Sequence, residues 1–132
     1  MKTKTIFDVR TYECDSYGHV NNAVYLNYLE YARMDYLRQI GFKYESFVEA
    51  GFFIYVSHVD IFYKSSARFG DTLTIESEPI KFGAVSGTIR QTVMLGDGTI
   101  CAQAEVTWAS VSSKNGRPTK IPQEFVVDGL KP

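Results

Sequence analysis

The spacing of apolar residues changes twice along the chain. Residues 4 to 13 alternate apolar and polar, which predicts a first β-strand carrying Ile6, Val9 and Tyr12 on its pleats, with an irregularity near Asp8. From Asn22 to about Arg38 the apolar positions instead recur every three or four residues. Tyr25, Tyr28, Leu29, Ala32 and Tyr36 make one helical stripe, Leu26 and Leu37 flank it, and Asn27, Glu30, Met34 and Arg38 fall opposite. Glu30 with Arg33, and Asp35 with Arg38, are spaced to pair across a turn. Gly41 is a natural stop. Residues 42 to 52 predict a short second helix ending at Gly51.

Beyond Gly51 no long helical period returns. Residues 53–64, 71–82, 84–95 and 99–111 read as strands. Leu73, Ile75 and Ser77 alternate with Thr72, Thr74 and Glu76, and Ala104, Val106 and Trp108 alternate with Glu105, Thr107 and Ala109, so each strand has a buried and a more polar face. Phe69-Gly70-Asp71 predicts a turn, Phe82-Gly83-Ala84 a tight reversal, and Asp97-Gly98 a hairpin, which together imply antiparallel neighbours. Ser112 to Gly116 reads as a loop, and two prolines keep 117–122 extended. The order strand, long helix, four strands predicts one α+β domain over 1–132, a curved five-stranded antiparallel sheet wrapped on a central helix. One helix covers one sheet face, so the other is expected to meet a second copy.

Composition narrows the function. The 132 residues fit one domain, and a net charge of −1 without a basic cluster argues against nucleic acid and lends no support to an anionic membrane surface. Residues 1–8 lack the apolar core of a signal peptide, and no apolar run approaches the roughly 20 residues of a membrane helix. Only Cys14 and Cys101 occur, which is no disulfide framework and fits a reducing compartment; the expected location is cytoplasmic.

Candidate chemistry gathers in residues 14–22, Cys-Asp-Ser-Tyr-Gly-His-Val-Asn-Asn. Asn21 and Asn22 suit a helix N-cap, and Gly18 suits the turn before it. Asp15, His19 and free backbone donors would then meet at the positive end of a helix dipole, where negative charge is stabilised. For Asp15 the plainer alternative is a capping carboxylate, and for His19 a hydrogen bond that fixes the turn. Tyr25 and Tyr28 read as core residues or as the lining of a ligand pocket. Cys14 reads as a small buried hydrophobe in preference to a Cys-His nucleophile. Asp15 and His19 complete no metal-ligand spacing, so neither metal nor cofactor is expected. His58, between Ser57 and Val59, is either a satisfied sheet residue or one facing a pocket. Lys64, Arg68, Arg90, Lys114 and Arg117 are surface charges or phosphate contacts, with no P-loop or dinucleotide glycine pattern among them.

The run from Asp15 through His19, Asn22, Tyr25 and Tyr28 to Arg33 resembles the signature of hot-dog-fold thioesterases of the 4-hydroxybenzoyl-CoA and acyl-ACP thioesterase kind. Phe62 to Asp71, and Gly116-Arg117-Pro118 with Ile121-Pro122, resemble later parts of the same pattern, so the likeness spans nearly the whole chain. The resemblance implies that Asp15 is the catalytic carboxylate. It also implies a thioester carbonyl facing backbone donors at Asn21 to Ala23, and a site at the interface of a homodimer or homotetramer. Tyr17, His19, Asn21, Asn22, Tyr25 and His58 are then supporting or substrate-positioning residues, and Lys64, Arg68 and Arg90 are candidates for the CoA phosphates. Tyr17 stands where plant acyl-ACP enzymes carry an Asn. The proline that follows the Asp in 4-hydroxybenzoyl-CoA enzymes is missing.

The implied activity is hydrolysis of an acyl-CoA thioester to a carboxylic acid and CoA. Asp15 would serve as nucleophile or general base, an ordinary aspartate being ionised at neutral pH, and an amide near Asn22 would polarise the carbonyl. Competing readings are an acyl-ACP thioesterase, a non-catalytic acyl-CoA binding module, and a dehydratase on the same fold.

Overall fold

The computed structural model describes residues 1–132. Strand β1 (Thr3–Asp8) leads through a 3-10 turn (Thr11–Glu13) to helix α1 (Asn22–Gln39) and the short α2 (Tyr44–Glu49). Strands β2 (Phe52–Tyr63), β3 (Thr72–Phe82), β4 (Ser86–Leu95) and β5 (Ile100–Ser112) follow. All five strands join one antiparallel sheet in the order β1-β3-β4-β5-β2, with α1 against one face. No helix is long and apolar enough to cross a membrane.

The helical stripe is the core. Tyr25, Tyr28, Leu29, Ala32 and Tyr36 are all buried, the first four against Leu73, Ile75, Val93, Ala102, Ala104 and Val106. Burying a large apolar side chain contributes about 1.5–3 kcal/mol. The alanines on β5 leave room for the tyrosine rings. A second cluster at the other end joins Tyr36 and Leu37 to Phe42, Phe47, Ile89, Trp108 and Leu130. Gly41, at φ +79°, ends α1 in the left-handed region that glycine enters without a Cβ clash.

Three expectations need correction. The turn at Phe69-Gly70-Asp71 does not join neighbouring strands. It closes on the end of β1, where the Gly70 amide donates to Val9 O and the Val9 amide to Asp71 O, while β2 crosses over to pair with β5. In β1 the pleats are inverted: Thr3 and Thr5 are buried and Ile6 is exposed. The inward Thr5 hydroxyl donates to Asp35 Oδ2 (2.6 Å), so that side of the strand meets a polar flank of α1. Tyr12 lies beyond the strand and is exposed.

Third, Asp35 and Arg38 pair (2.6 Å), but Glu30 and Arg33 do not. Arg33 turns under the helix and donates to Gln91 Oε1, and the buried Gln91 amide donates to Leu29 O and Ser77 Oγ. The outer sheet face is the more polar one, as the strand alternation predicts, with Thr72, Thr74, Glu76, Arg90, Thr92, Gln103 and Glu105 along β3–β5. Exposed apolar surface instead collects on edge strand β2, at Tyr55, Val56, Phe62 and Tyr63, and on α1 at Leu26 and Met34. Residues 117–122 contain no helix, and beyond them the chain folds into 3-10 turns at Gln123–Phe125 and Asp128–Leu130 that bury Leu130.

Candidate active site at the helix N-terminus

Residues 14–20 form a small hairpin before α1. Cys14 and Val20 bridge across its base, the Asp15 amide donating to His19 O (2.8 Å) and the Asn21 amide to Glu13 O (3.0 Å). Gly18, at φ +80°, makes the reversal, and its amide donates to Asp15 O (3.0 Å). Asp15 Oδ1 accepts the amides of Tyr17 (2.9 Å) and His19 (3.2 Å), so one carboxylate oxygen fixes the turn. Oδ2 has no hydrogen-bond partner in the chain, and Asp15 is exposed.

Asn21 is the N-cap, its side-chain oxygen accepting the Ala23 amide at 2.9 Å. The Asn22 amide, at the first helical position, has no acceptor. A free donor therefore points out of the positive end of an 18-residue helix, in the same loop that carries the open oxygen of Asp15. Beside it lies a cleft of about 190 Å³ lined by Asn22, Tyr25, Tyr63, Lys64, Ser65 and Ser66. The Tyr63 hydroxyl donates to Asn22 O (3.0 Å), and the buried Tyr25 hydroxyl accepts the Ala67 amide (3.1 Å), so Tyr25 is both core and cleft wall.

Other predicted residues divide by distance from this loop. His19 pairs with Arg68 in a backbone bridge, which joins Arg68 to the loop; Tyr17 is largely exposed. His58 sits opposite Thr107 on the outer sheet face, away from α1, and Arg90 on the same face pairs with Glu105 (3.0 Å). Lys114 and Arg117 follow β5 beyond Ser112, which pairs with Phe52 at the far end of β2 from Tyr63. Thus Lys64 lines the cleft and Arg68 is joined to the loop beside it, whereas His58, Arg90, Lys114 and Arg117 do neither.

Glu13 was not singled out by sequence reasoning. It is buried, and its carboxylate accepts the Arg10 amide (2.8 Å), the Arg10 guanidinium (2.7 Å) and the Tyr28 hydroxyl (2.9 Å). Burial alone would raise its pKa, but the hydrogen bonds from Arg10 and Tyr28 outweigh it and hold the carboxyl below the usual range. Burial, reinforced by this carboxylate, pushes the Tyr28 hydroxyl up. The available signal was the Arg-x-x-Glu spacing of Arg10 and Glu13. A second cavity, about 110 Å³ and mostly apolar, lies beside the C-terminal half of α1 among Met34, Leu37, Tyr44, Ile54, Val56 and Trp108. At a rise of about 1.5 Å per residue, Met34 is roughly 18 Å along the helix from Asn22, so this cavity is separate from the loop.

The model of the thioesterase-like superfamily matches residues 9–128. The long-chain acyl-CoA thioesterase FadM of Escherichia coli is 31% identical over 123 residues, 92% of each chain. The crystal structure of the probable thioesterase YbaW from Escherichia coli superposes with a TM-score of 0.78 at 30% identity, covering 92% of both chains. A DHNA-CoA thioesterase structure from Staphylococcus aureus shares the fold at a TM-score of 0.88 and 18% identity, over 94% of this chain and 83% of that one. The β-sheet wrapped on α1 is therefore the hot-dog fold, and this chain belongs to the thioesterase-like superfamily as a thioester hydrolase.

Proposed function

We propose that the protein hydrolyses acyl-CoA thioesters, with Asp15 carrying the chemistry and the Asn22 amide receiving the thioester oxygen. The observation that carries this reading is the pairing, within one loop, of an unpartnered carboxylate oxygen with an unpartnered amide at a helix N-terminus. The acyl-CoA relative FadM, similar over nearly the full length of both chains, supports the substrate class.

Two routes suit this geometry. In the first, Asp15 Oδ2 takes a proton from water as the water oxygen bonds to the carbonyl carbon. The carbonyl electron pair moves onto oxygen, where the Asn22 amide and the helix dipole stabilise it; such a donor contributes about 3–4 kcal/mol. Collapse restores the carbonyl, breaks the carbon–sulfur bond and returns the proton to the CoA sulfur. In the second, Oδ2 attacks directly and expels the thiolate, and water then hydrolyses the mixed anhydride. Lys64 and Arg68, on the cleft side, meet the CoA phosphates, and His19 orients the attacking oxygen or the substrate.

The active unit is a homo-oligomer. Edge strand β2 leaves a long row of backbone groups unpaired beside exposed Tyr55, Val56, Phe62 and Tyr63, and such an edge is ordinarily covered. A second copy on that edge would stand next to the cleft that Tyr63 lines.

The test is a hydrolysis screen over short, long and aromatic acyl-CoAs, with acyl-ACP alongside and Asp15→Asn in parallel. Turnover of acyl-CoA lost in Asp15→Asn is expected; full activity in that variant, or tight binding without turnover by the wild type, would sink the reading. Single turnover in ¹⁸O-water separates the routes where water opens the anhydride at the Asp15 carbonyl: the label then enters Asp15 and the product acid carries none, whereas the general-base route labels the product alone.

A further inference from the structure

We propose that Glu13 is the positioning residue of the reaction loop, holding the Asp15 carboxylate in register with the Asn22 amide. This rests on the assignment of Asp15 above. The hairpin 14–20 has two limbs. The returning limb is fastened outside the helix, where the Val20 amide donates to Ala67 O (2.9 Å) and His19 bridges to Arg68. The outgoing limb carries Asp15, and its hydrogen-bonded anchor to α1 is Glu13 alone.

That anchor acts at two points. The Glu13 carbonyl accepts the amide of Asn21, the helix cap, and the Glu13 carboxylate accepts the hydroxyl of Tyr28, nearly two turns inside α1. Arg10 closes the carboxylate from the other side with its amide and guanidinium. The two bonds to Asp15 Oδ1 set the shape of the turn, but they lie wholly within it and cannot set its distance from the helix. Only the Glu13 bonds run from the Asp15 side of the loop to the element that presents the Asn22 amide. Because the carboxylate is buried, losing it would strand the Tyr28 hydroxyl in the core without an acceptor and leave Arg10 without its counter-charge. The base of the loop would then relax. A displacement near 1 Å at a reacting group can cost about 100-fold in rate.

The experiment compares Glu13→Ala, Glu13→Gln and Tyr28→Phe with Tyr36→Phe, all assayed well below their melting temperatures and normalised to folded protein. Tyr36→Phe removes a hydroxyl bond to Gly129 O at the far end of the same helix and controls for lost stability. Glu13→Ala should lower kcat about 10- to 100-fold with KM within about threefold. Glu13→Gln, which keeps an oxygen for Tyr28 and for the Arg10 amide, should recover most of that loss. Tyr28→Phe should fall between them. Amide exchange at Tyr17 and His19 should accelerate in Glu13→Ala and not in Tyr36→Phe. A folded Glu13→Ala enzyme with the kcat and exchange of the Tyr36→Phe control would overturn the proposal. If Asp15→Asn is inactive in that same case, the Asp15 assignment stands and only the role of Glu13 falls.

Discussion

The two ends of α1 are built on opposite terms. At the C-terminal end the last amides fold back on the helix, Ile40, Gly41 and Phe42 donating to Tyr36, Arg38 and Leu37, and the side chains close into a cluster around Phe47 and Trp108. At the N-terminal end Asn22 and Ala23 are exposed, one amide is unpaired, and the adjoining carboxylate keeps one oxygen open. Unsatisfied polar groups cost stability when buried and give reactivity when they face a substrate. The helix therefore separates the two demands along its length: one end supplies packing, and the other supplies donors and charge.

The sharpest way to break this contrast is to change each end once. Asp15→Asn keeps an oxygen for the Tyr17 and His19 amides, so it should lower kcat about 1,000-fold or more while unfolding free energy stays within about 0.5 kcal/mol. Phe47→Ala empties a fully buried site that contacts Phe42, Phe52 and Phe125, and should cost about 3–5 kcal/mol with kcat per folded molecule unchanged. Urea unfolding followed by kinetics at low denaturant measures both. A fall in melting temperature for Asp15→Asn equal to that of Phe47→Ala would erase the division.

A pH experiment probes the packed end with a smaller effect. Burial pushes the Tyr36 hydroxyl from 10.0 up to about 12. The folded state thus keeps a proton that the unfolded chain releases, and the contribution is complete below pH 10 and is lost as pH rises toward about 12. Stability therefore falls with rising pH across that window. Tyr36→Phe should flatten this part of the alkaline stability curve, and an unchanged slope would show that the hydroxyl does not titrate behind the fold. Glu13 has the reverse sign. Its carboxyl is held down, so its contribution is present above the ordinary glutamate range and is lost as pH falls through the lowered folded value.

The same contrast explains what could be read from the sequence. Local periodicity carried α1, its buried tyrosine stripe, the cap at Asn21 and the hairpin at Asp97-Gly98, because each depends on neighbours within a few residues. Pairing of β2 with β5 spans some fifty residues and left no local mark, so the turn at Gly70 read as a strand-to-strand reversal. Thr5 and Glu13 misled for another reason. Polar residues are ordinarily exposed, and here each is buried because a distant group, Asp35 or Tyr28, completes its hydrogen bonds. The loop that bears Asp15 was legible as a polar turn. The unpaired state of Oδ2 and of the Asn22 amide is a property of three-dimensional accounting.

The smallest predicted effect tests the two helix caps directly. Asn21→Ala removes the acceptor of the Ala23 amide, and Gly41→Ala places a Cβ on a residue at φ +79° with open space around it. Each should cost about 1 kcal/mol, the first through an unsatisfied donor and the second through backbone strain. Their kinetic consequences should differ. Losing the Asn21 side chain frees a second amide beside Asn22 and loosens the first turn of α1, so the proposed oxyanion donor loses its fixed direction and kcat should fall about three- to tenfold. Gly41 lies at the other end of an 18-residue helix, roughly 27 Å away, and its replacement should leave kcat unchanged. Equal kinetic penalties would mean that global stability governs the reaction, whereas a penalty confined to Asn21→Ala ties catalysis to the order of the first helical turn.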